Sequence, residues 1–166
     1  MTAATTLLIV SYSRTGASRQ LADSAEAWAL AVGEIAVRHL DAREAGPEDL
    51  LAAAGYLFAC PENLAAIAGE MKAFFDRTYY EVLGRIEGRP YAAMICAGSD
   101  GENARRQLER ICTGWRLRRV ADTAIVNLRA DTPEAILAPK TVPEPALAQA
   151  RELGALLAAG LAAGIF

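Results

Sequence analysis

Thr5-Thr-Leu-Leu-Ile-Val-Ser-Tyr-Ser-Arg-Thr-Gly-Ala-Ser18 decides the fold: an apolar run stops abruptly in a cluster of hydroxyls. Leu7 to Ser11 reads as a buried strand. From Gly16 the apolar residues fall at Ala17, Leu21, Ala25, Trp28 and Ala29, which is a helical period. The segment is therefore a strand, a hydroxyl-rich turn and a helix. At such a junction the unpaired amides of the first helical turn and the positive end of the helix dipole point into one small volume that suits a phosphate. Ser13, Thr15 and Ser18 add hydroxyl donors, and Gly16, with no side chain and a tolerance of positive φ, lets the backbone approach the anion. One hydroxyl here would be an ordinary helix cap; three with a glycine exceed what capping needs. A Walker loop would need a lysine that Ser13 to Ser18 lacks, and the dinucleotide fingerprint would need two further glycines.

The rest of the chain alternates in the same way. Glu34 to Leu40 reads as a second strand with the charged positions of a sheet edge. His39, the only histidine, is taken as a strand residue, since the sequence puts no carboxylate or thiol beside it. Pro47 followed by Glu48, Asp49, Leu50 and Leu51 starts a short helix. Gly55 opens Tyr56-Leu57-Phe58-Ala59-Cys60, a continuous apolar run expected at the centre of a parallel sheet, with Pro61 ending it. Pro61 to Ala68 is then a loop, and Met71, Phe74, Phe75 and Thr78 keep helical spacing after Gly69. Tyr91 to Ala97 is a fourth strand and Gly98-Ser99-Asp100-Gly101 its exit turn. Ser99 and Glu102 form a capping box for a helix with Ala104, Leu108, Ile111 and Cys112 inward. Arg118 to Val126 supplies a fifth strand, Asn127 to Val142 a long irregular segment, and Pro143 to Leu147 the start of a last helix.

This pattern defines an α/β fold: a three-layer, doubly wound sandwich on a five-stranded parallel sheet, expected to occupy residues 1–166 as a single domain. Ligands in such sheets bind beyond the carboxyl ends of the strands, where the loops after the first, third and fourth strands meet. With 166 residues and 53% hydrophobic content the chain has enough material for a sizeable core. A net charge of −3 gives no basis for nucleic-acid binding. Cys60, Cys96 and Cys112 form no CxxC pair and are odd in number, which suits buried thiols in a reducing compartment and so a cytoplasmic location. The N-terminus has no signal-peptide pattern, and the apolar stretch from Ala155 to Phe166 is shorter than the roughly 20 residues of a membrane span. It reads as a helix packed on the sheet, and it leaves a homodimer interface open.

Ser13-Arg14-Thr15-Gly16-Ala17-Ser18 resembles the flavodoxin phosphate loop: hydroxyl, any residue, Thr, Gly, any residue, hydroxyl. Ala17 stands where that family often has a polar residue. Pro61-Glu62-Asn63 with the segment Gly69 to Arg77 resembles the third-strand loop and following helix of flavodoxin-like NAD(P)H-dependent reductases. Ala97 to Glu102 resembles their fourth-strand loop. The three segments stand in the family's order.

The resemblance implies a strand order of 2-1-3-4-5 and FMN as cofactor. Its phosphate would rest on Ser11 to Ser18, including Arg14 and Ala17, whose amides matter more than their side chains. Its ring would lie between Pro61, Glu62 and Asn63 on one side and Gly98, Ser99, Asp100 and Gly101 on the other. Hydrogen bonds to a charged group contribute roughly 1.5–3 kcal/mol each, so losing one hydroxyl should weaken FMN about tenfold or more. Electron-carrier flavodoxins usually cover the ring with aromatic side chains from these two loops and are strongly acidic; neither holds here. The expected activity is therefore an oxidoreductase passing electrons from NAD(P)H through FMN to a quinone or similar small acceptor, with no catalytic side chain and no metal. The alternatives are a flavodoxin-type electron carrier served by a redox partner protein, and a flavin-free binding domain. Arg105, Arg106 and Arg110, with Arg116, Arg118 and Arg119 beyond them, either meet the phosphates of a nicotinamide dinucleotide or form a solvated helix face.

Overall fold

The computed structural model describes residues 4–166. Strand β1 (Thr6–Ser11) leads through the hydroxyl turn into α1 (Ala17–Val32). Then come β2 (Ala36–Asp41), α2 (Pro47–Ala52), β3 (Gly55–Asn63), a two-residue arm β4 (Ala66–Ile67), α3 (Gly69–Val82) and β5 (Pro90–Ala97). The chain continues through α4 (Glu102–Gly114), the short strands β6 (Arg118–Arg119) and β7 (Ala124–Asn127), the short helix α5 (Pro133–Leu137) and α6 (Glu144–Ala162). Strands β2, β1, β3 and β5 pair in that order and in parallel, and β6 and β7 both lie along β5. Taken as one interrupted strand, β6 and β7 complete the doubly wound order 2-1-3-4-5.

Several elements differ from the sequence-based expectation. The fifth strand is broken: from Tyr91↔Arg119 to Met94↔Ala124 the chain takes five steps against three on β5, so Val120 to Thr123 buckle outward. Glu109 on α4 fastens this bulge by accepting from Thr123 Oγ1 at 2.8 Å and Arg119 Nη1 at 2.7 Å. Pro61 does not end the third strand, which runs on to Asn63. Proline lacks an N–H, but the Pro61 carbonyl accepts from Ala68 N at 3.0 Å, and the strand exchanges β5 for β4 as its partner. Finally, the segment after β7 is not wholly irregular, because Thr132 caps α5 through its hydroxyl and Pro133 occupies the first helical turn.

The sheet carries two cores of different character. On one face Tyr56, Phe58, Phe74, Phe75 and Trp115 form an aromatic cluster under α2, α3 and α4, with Phe75 and Trp115 edge to face at 5.1 Å. On the other, Leu7, Ile9, Leu57 and Met94 meet the alanine-rich faces of α1 and α6. Small residues let those helices come very close: a Cβ built on Gly154 would stand 2.0 Å from the Ala25 carbonyl oxygen. Trp28 belongs to the apolar period of α1. It lies at the flank of the buried stripe, half exposed, with the Arg151 guanidinium 5.8 Å from its ring centroid.

Candidate functional site

The turn after β1 gathers hydrogen-bond donors at the start of α1. Gly16 occupies the N-cap of α1 at φ 100°, a left-handed conformation that side chains resist. The first backbone bond of the helix runs from Gln20 N to the Gly16 carbonyl at 3.1 Å, so the amides of Ala17, Ser18 and Arg19 precede the ladder. Ser13 Oγ accepts from Gly16 N at 3.1 Å and keeps its own proton to donate. Ser18 is buried, and its Oγ has no oxygen or nitrogen partner and only the Cys96 thiol, a weak one, beside it.

This turn opens on a cavity of about 670 Å³ at the carboxyl edge of the sheet. From the hydroxyl turn, Ser13, Arg14, Thr15, Ala17 and Ser18 face it. From β3 come Pro61, Glu62 and Asn63, and from the exit of β5 come Gly98 and Ser99. Ser11, Gly16, Asp100 and Gly101 do not line it. The capping box expected of Ser99 does not form either. Gly101 is the N-cap of α4 in a left-handed conformation, Glu102 turns to Arg105 at 2.7 Å, and the Ser99 carbonyl accepts from Asn127 Nδ2 at 2.6 Å.

A fourth segment, which the sequence pattern does not mark, borders the cavity. Leu128, Ala130, Ile136, Leu137 and Lys140 all line it. Gln20 holds this strap down: its Nε2 donates to the Lys140 carbonyl at 2.7 Å, and its Oε1 accepts from Val142 N at 3.0 Å. Lys140 N donates to the Thr15 carbonyl at 2.8 Å, tying the strap directly to the hydroxyl turn. A glutamine one turn into α1 was the available signal, but its partners lie 120 and 122 residues away.

The opposite wall is a hairpin, not a loop. Glu62 pairs with Ile67 and Asn63 with Ala66, and the two residues between, Leu64 and Ala65, sit at φ 50° and 63°. This is the conformation of a tight primed turn without its usual glycine or asparagine. Such strain costs about 1–2 kcal/mol per residue and has to be held from outside. Helix α4 does so: Asn103 Nδ2 donates to the Ala65 carbonyl, and Gln107 Oε1 accepts from Ile67 N at 2.8 Å. Leu64 stands fully exposed at the tip, facing the cavity, and aliphatic Ile136 and Leu137 project on the strap side. No aromatic side chain lines the cavity among the described residues. Tyr79 and Tyr80 meet elsewhere on α3, with ring centroids 5.0 Å apart and planes tilted by 50°.

Buried groups flank the site. Burial pushes the Cys60 thiol up to about 12 and the Cys96 thiol, at the cavity wall, to about 11, so both are protonated at neutral pH. His39 is the edge-strand residue expected, but it has carboxylate neighbours that the sequence does not place beside it. Its ring is almost wholly buried, with Nε2 2.7 Å from Ser11 Oγ and Nδ1 2.9 Å from Glu26 Oε2, and Asp23 approaches at 3.6 Å. These two carboxylates come from α1, one helix earlier in the chain. Through Ser11 the network anchors the base of the hydroxyl turn to β2 and α1.

Sheet order, the helix N-terminus at the first strand and the cavity at the carboxyl edge define a flavodoxin-like α/β protein. A family model described as NADPH-dependent FMN reductase matches residues 38–132, more than half of the chain. The chain belongs to the NADPH-dependent FMN reductase family, a flavodoxin-like family that binds FMN. A flavodoxin of Aquifex aeolicus is 31% identical over 97 residues, covering 57% of this chain and 51% of that protein, so the chain spans about half the length of the curated relative it matches. Among solved structures, an archaeal flavodoxin superposes with a TM-score of 0.75 at 14% identity, covering 94% of this chain and 98% of that one. An NADH:FMN oxidoreductase in its apo form gives a TM-score of 0.70 at 19% identity, covering 94% and 89%. Among the described residues no helix is long and apolar enough to cross a membrane.

The cavity's chemistry fits FMN. The orphaned Ser18 hydroxyl lies at the end lined by the phosphate turn and suits a phosphate acceptor. Glu62 Oε2, also buried without a partner, lies at the hairpin end and suits an N–H donor of the flavin ring.

Proposed function

We propose that the protein is an NAD(P)H-dependent FMN reductase that passes electrons to a quinone or similar small acceptor. The observation that carries this reading is one cavity with an unsatisfied buried hydroxyl at its anion end and an unsatisfied buried carboxylate oxygen at its ring end. Bound FMN supplies the redox chemistry that amino-acid side chains lack. The protein's residues bind and orient. Ser13, Thr15 and Ser18, with the amides of the first turn of α1, hold the phosphate, while Ser11 and Gly16 shape that turn from beneath and Arg14 and Ala17 contribute their backbone. Pro61, Glu62 and Asn63 flank the ring from the hairpin. Gly98 to Gly101 flank it from the β5 exit, with Gly98 and Ser99 in contact and Asp100 and Gly101 setting the turn. Leu64, Ile136 and Leu137 give the slot aliphatic rims, which exclude water at the edges and leave the ring face open for a nicotinamide or an acceptor to stack.

That open face favours an enzyme over a carrier, which would shield its ring and exchange electrons with a partner protein. We read residues 1–166 as one domain, and the buried free cysteines suit a reducing, cytoplasmic setting. The apolar end of α6 keeps a homodimer in view. The test is anaerobic titration of the purified, FMN-loaded protein with NADPH and with NADH, followed by a soluble quinone. Bleaching by a nucleotide and recovery on adding the quinone are expected. Flavin binding without reduction by either nucleotide would leave the carrier reading, and failure to bind FMN would leave a flavin-free binding domain.

A further inference from the structure

The strained hairpin separates two cavities. The second, about 620 Å³, lies between α3, α4 and the far side of the hairpin, and is lined by Ala66, Lys72, Asn103, Arg106, Gln107 and Arg110, with Ile111 at its floor. Its charge is one-sided. Lys72 is paired with Asp76 at 2.6 Å, but Arg106 and Arg110 meet no carboxylate among the described residues. The other arginines in this part of the chain are engaged: Arg105 with Glu102 and Glu109, Arg116 with Glu87, Arg119 with Glu109 and Asp122, and Arg118 over the Phe166 ring. Two like charges one helical turn apart repel, and an anion between them removes that repulsion. Arginine's planar fork is matched to phosphate oxygens, and the amides of Asn103 and Gln107 are fixed beside it by their bonds to the hairpin.

The two cavities share one wall. Glu62, Asn63 and Leu64 face the first and Ala66 faces the second, so a ligand crossing the hairpin tip touches both. A nicotinamide dinucleotide has that form: a flat ring at one end and phosphates toward the other. Building on the flavin reading above, we propose that Arg106 and Arg110, with Lys72, bind the 2′-phosphate of NADPH while its nicotinamide reaches over the hairpin to the flavin cavity. The second cavity then selects NADPH over NADH.

The experiment uses the FMN-loaded protein and adenosine 2′,5′-bisphosphate, which carries the 2′-phosphate without a nicotinamide, with adenosine 5′-monophosphate as its control. Calorimetric titration is expected to show the bisphosphate binding about tenfold or more tightly than the monophosphate, as charge-assisted hydrogen bonds to one phosphate allow. The exposed double substitution Arg106→Gln/Arg110→Gln is expected to abolish that preference, to raise KM for NADPH about tenfold with kcat kept, and to leave KM for NADH unchanged. Arg116→Gln, an exposed arginine away from the cavity, should change none of these. Equal binding of the two adenosine phosphates, or an unchanged preference in the double variant, overturns the inference. NADPH reduction that persists unchanged in the double variant sinks the inference and leaves the flavin reading standing. Absence of flavin binding sinks that reading, while the bisphosphate titration still reports on the arginines.

Discussion

Ser18 shows how a single residue can work against the stability of the empty fold. Its buried hydroxyl has only the weak Cys96 thiol beside it, a desolvation cost of at most about 1–3 kcal/mol. Ser18→Ala removes the cost and the ligand contact together. The variant is expected to raise the urea midpoint of the flavin-free protein and to weaken FMN about tenfold by fluorescence titration, with riboflavin affinity unchanged. Reduced stability with intact FMN affinity would show that the hydroxyl serves packing instead. Cys60 gives a pH dependence with a fixed sign. Burial, reinforced by the neighbouring Cys96 thiol, lifts its pKa from 9.0 to about 12. The unfolded chain therefore loses this proton first as pH rises: the stabilisation is full below 9.0 and is lost as pH climbs through about 12. Urea midpoints taken at about pH 8 and about pH 10.5 should fall for the native chain, and fall less for Cys60→Ala.

Single elements depend on a few polar fasteners. Glu109 holds the bulged strand to α4. Burial alone would raise its carboxyl, but the hydrogen bonds from Thr123 and Arg119 and the charges of Arg119 and Arg105 outweigh it and leave the pKa below 4.5. A lowered carboxylate stabilises above its ordinary value, and that contribution is lost as pH falls through the folded value. Thermal midpoints measured from neutral pH down to about pH 3 should drop more steeply for the native chain than for Glu109→Gln, which starts lower. Gln20 does the same for the strap. Gln20→Ala leaves Val142 N and the Lys140 carbonyl without their partner, so exchange at the Val142 amide should accelerate about tenfold or more while the β3 amides stay protected. Uniform acceleration across the sheet would show instead that the variant is globally destabilised.

Across the whole molecule the two faces of the sheet tolerate change differently. Gly154→Ala drives a methyl into the Ala25 carbonyl, and the α1–α6 contact has no flexible side chain to yield. A loss of about 2 kcal/mol or more in chemical denaturation is expected, larger than for Phe75→Leu on the aromatic face, where neighbouring rings can shift. What the sequence revealed follows the same division between local and distant signals. The strand-turn-helix of Thr6–Val32 was legible because periodicity and the hydroxyl cluster lie in one window, and parallel order followed from the alternation of elements. Pro61 misleads because its missing N–H is evident in the sequence, whereas the Ala68 amide that uses its carbonyl is not. His39, Gln20 and the strap were illegible because their partners are remote in sequence, and the hairpin because Leu64 and Ala65 are not the residues that normally announce a primed turn.

The buckle between β6 and β7 has a consequence beyond this site. A sheet ends in a row of unpaired amides and carbonyls, and a long, flat row is a template on which another chain can add a strand. Here the outer strand offers only Arg118–Arg119 and Ala124–Asn127, with the chain between them turned away toward Glu109. Two charged residues and a break replace what would otherwise be a continuous strip. Release of the bulge by loss of Glu109 should therefore show itself in a second way, as slow β-rich aggregation at concentrations where the native chain stays dispersed.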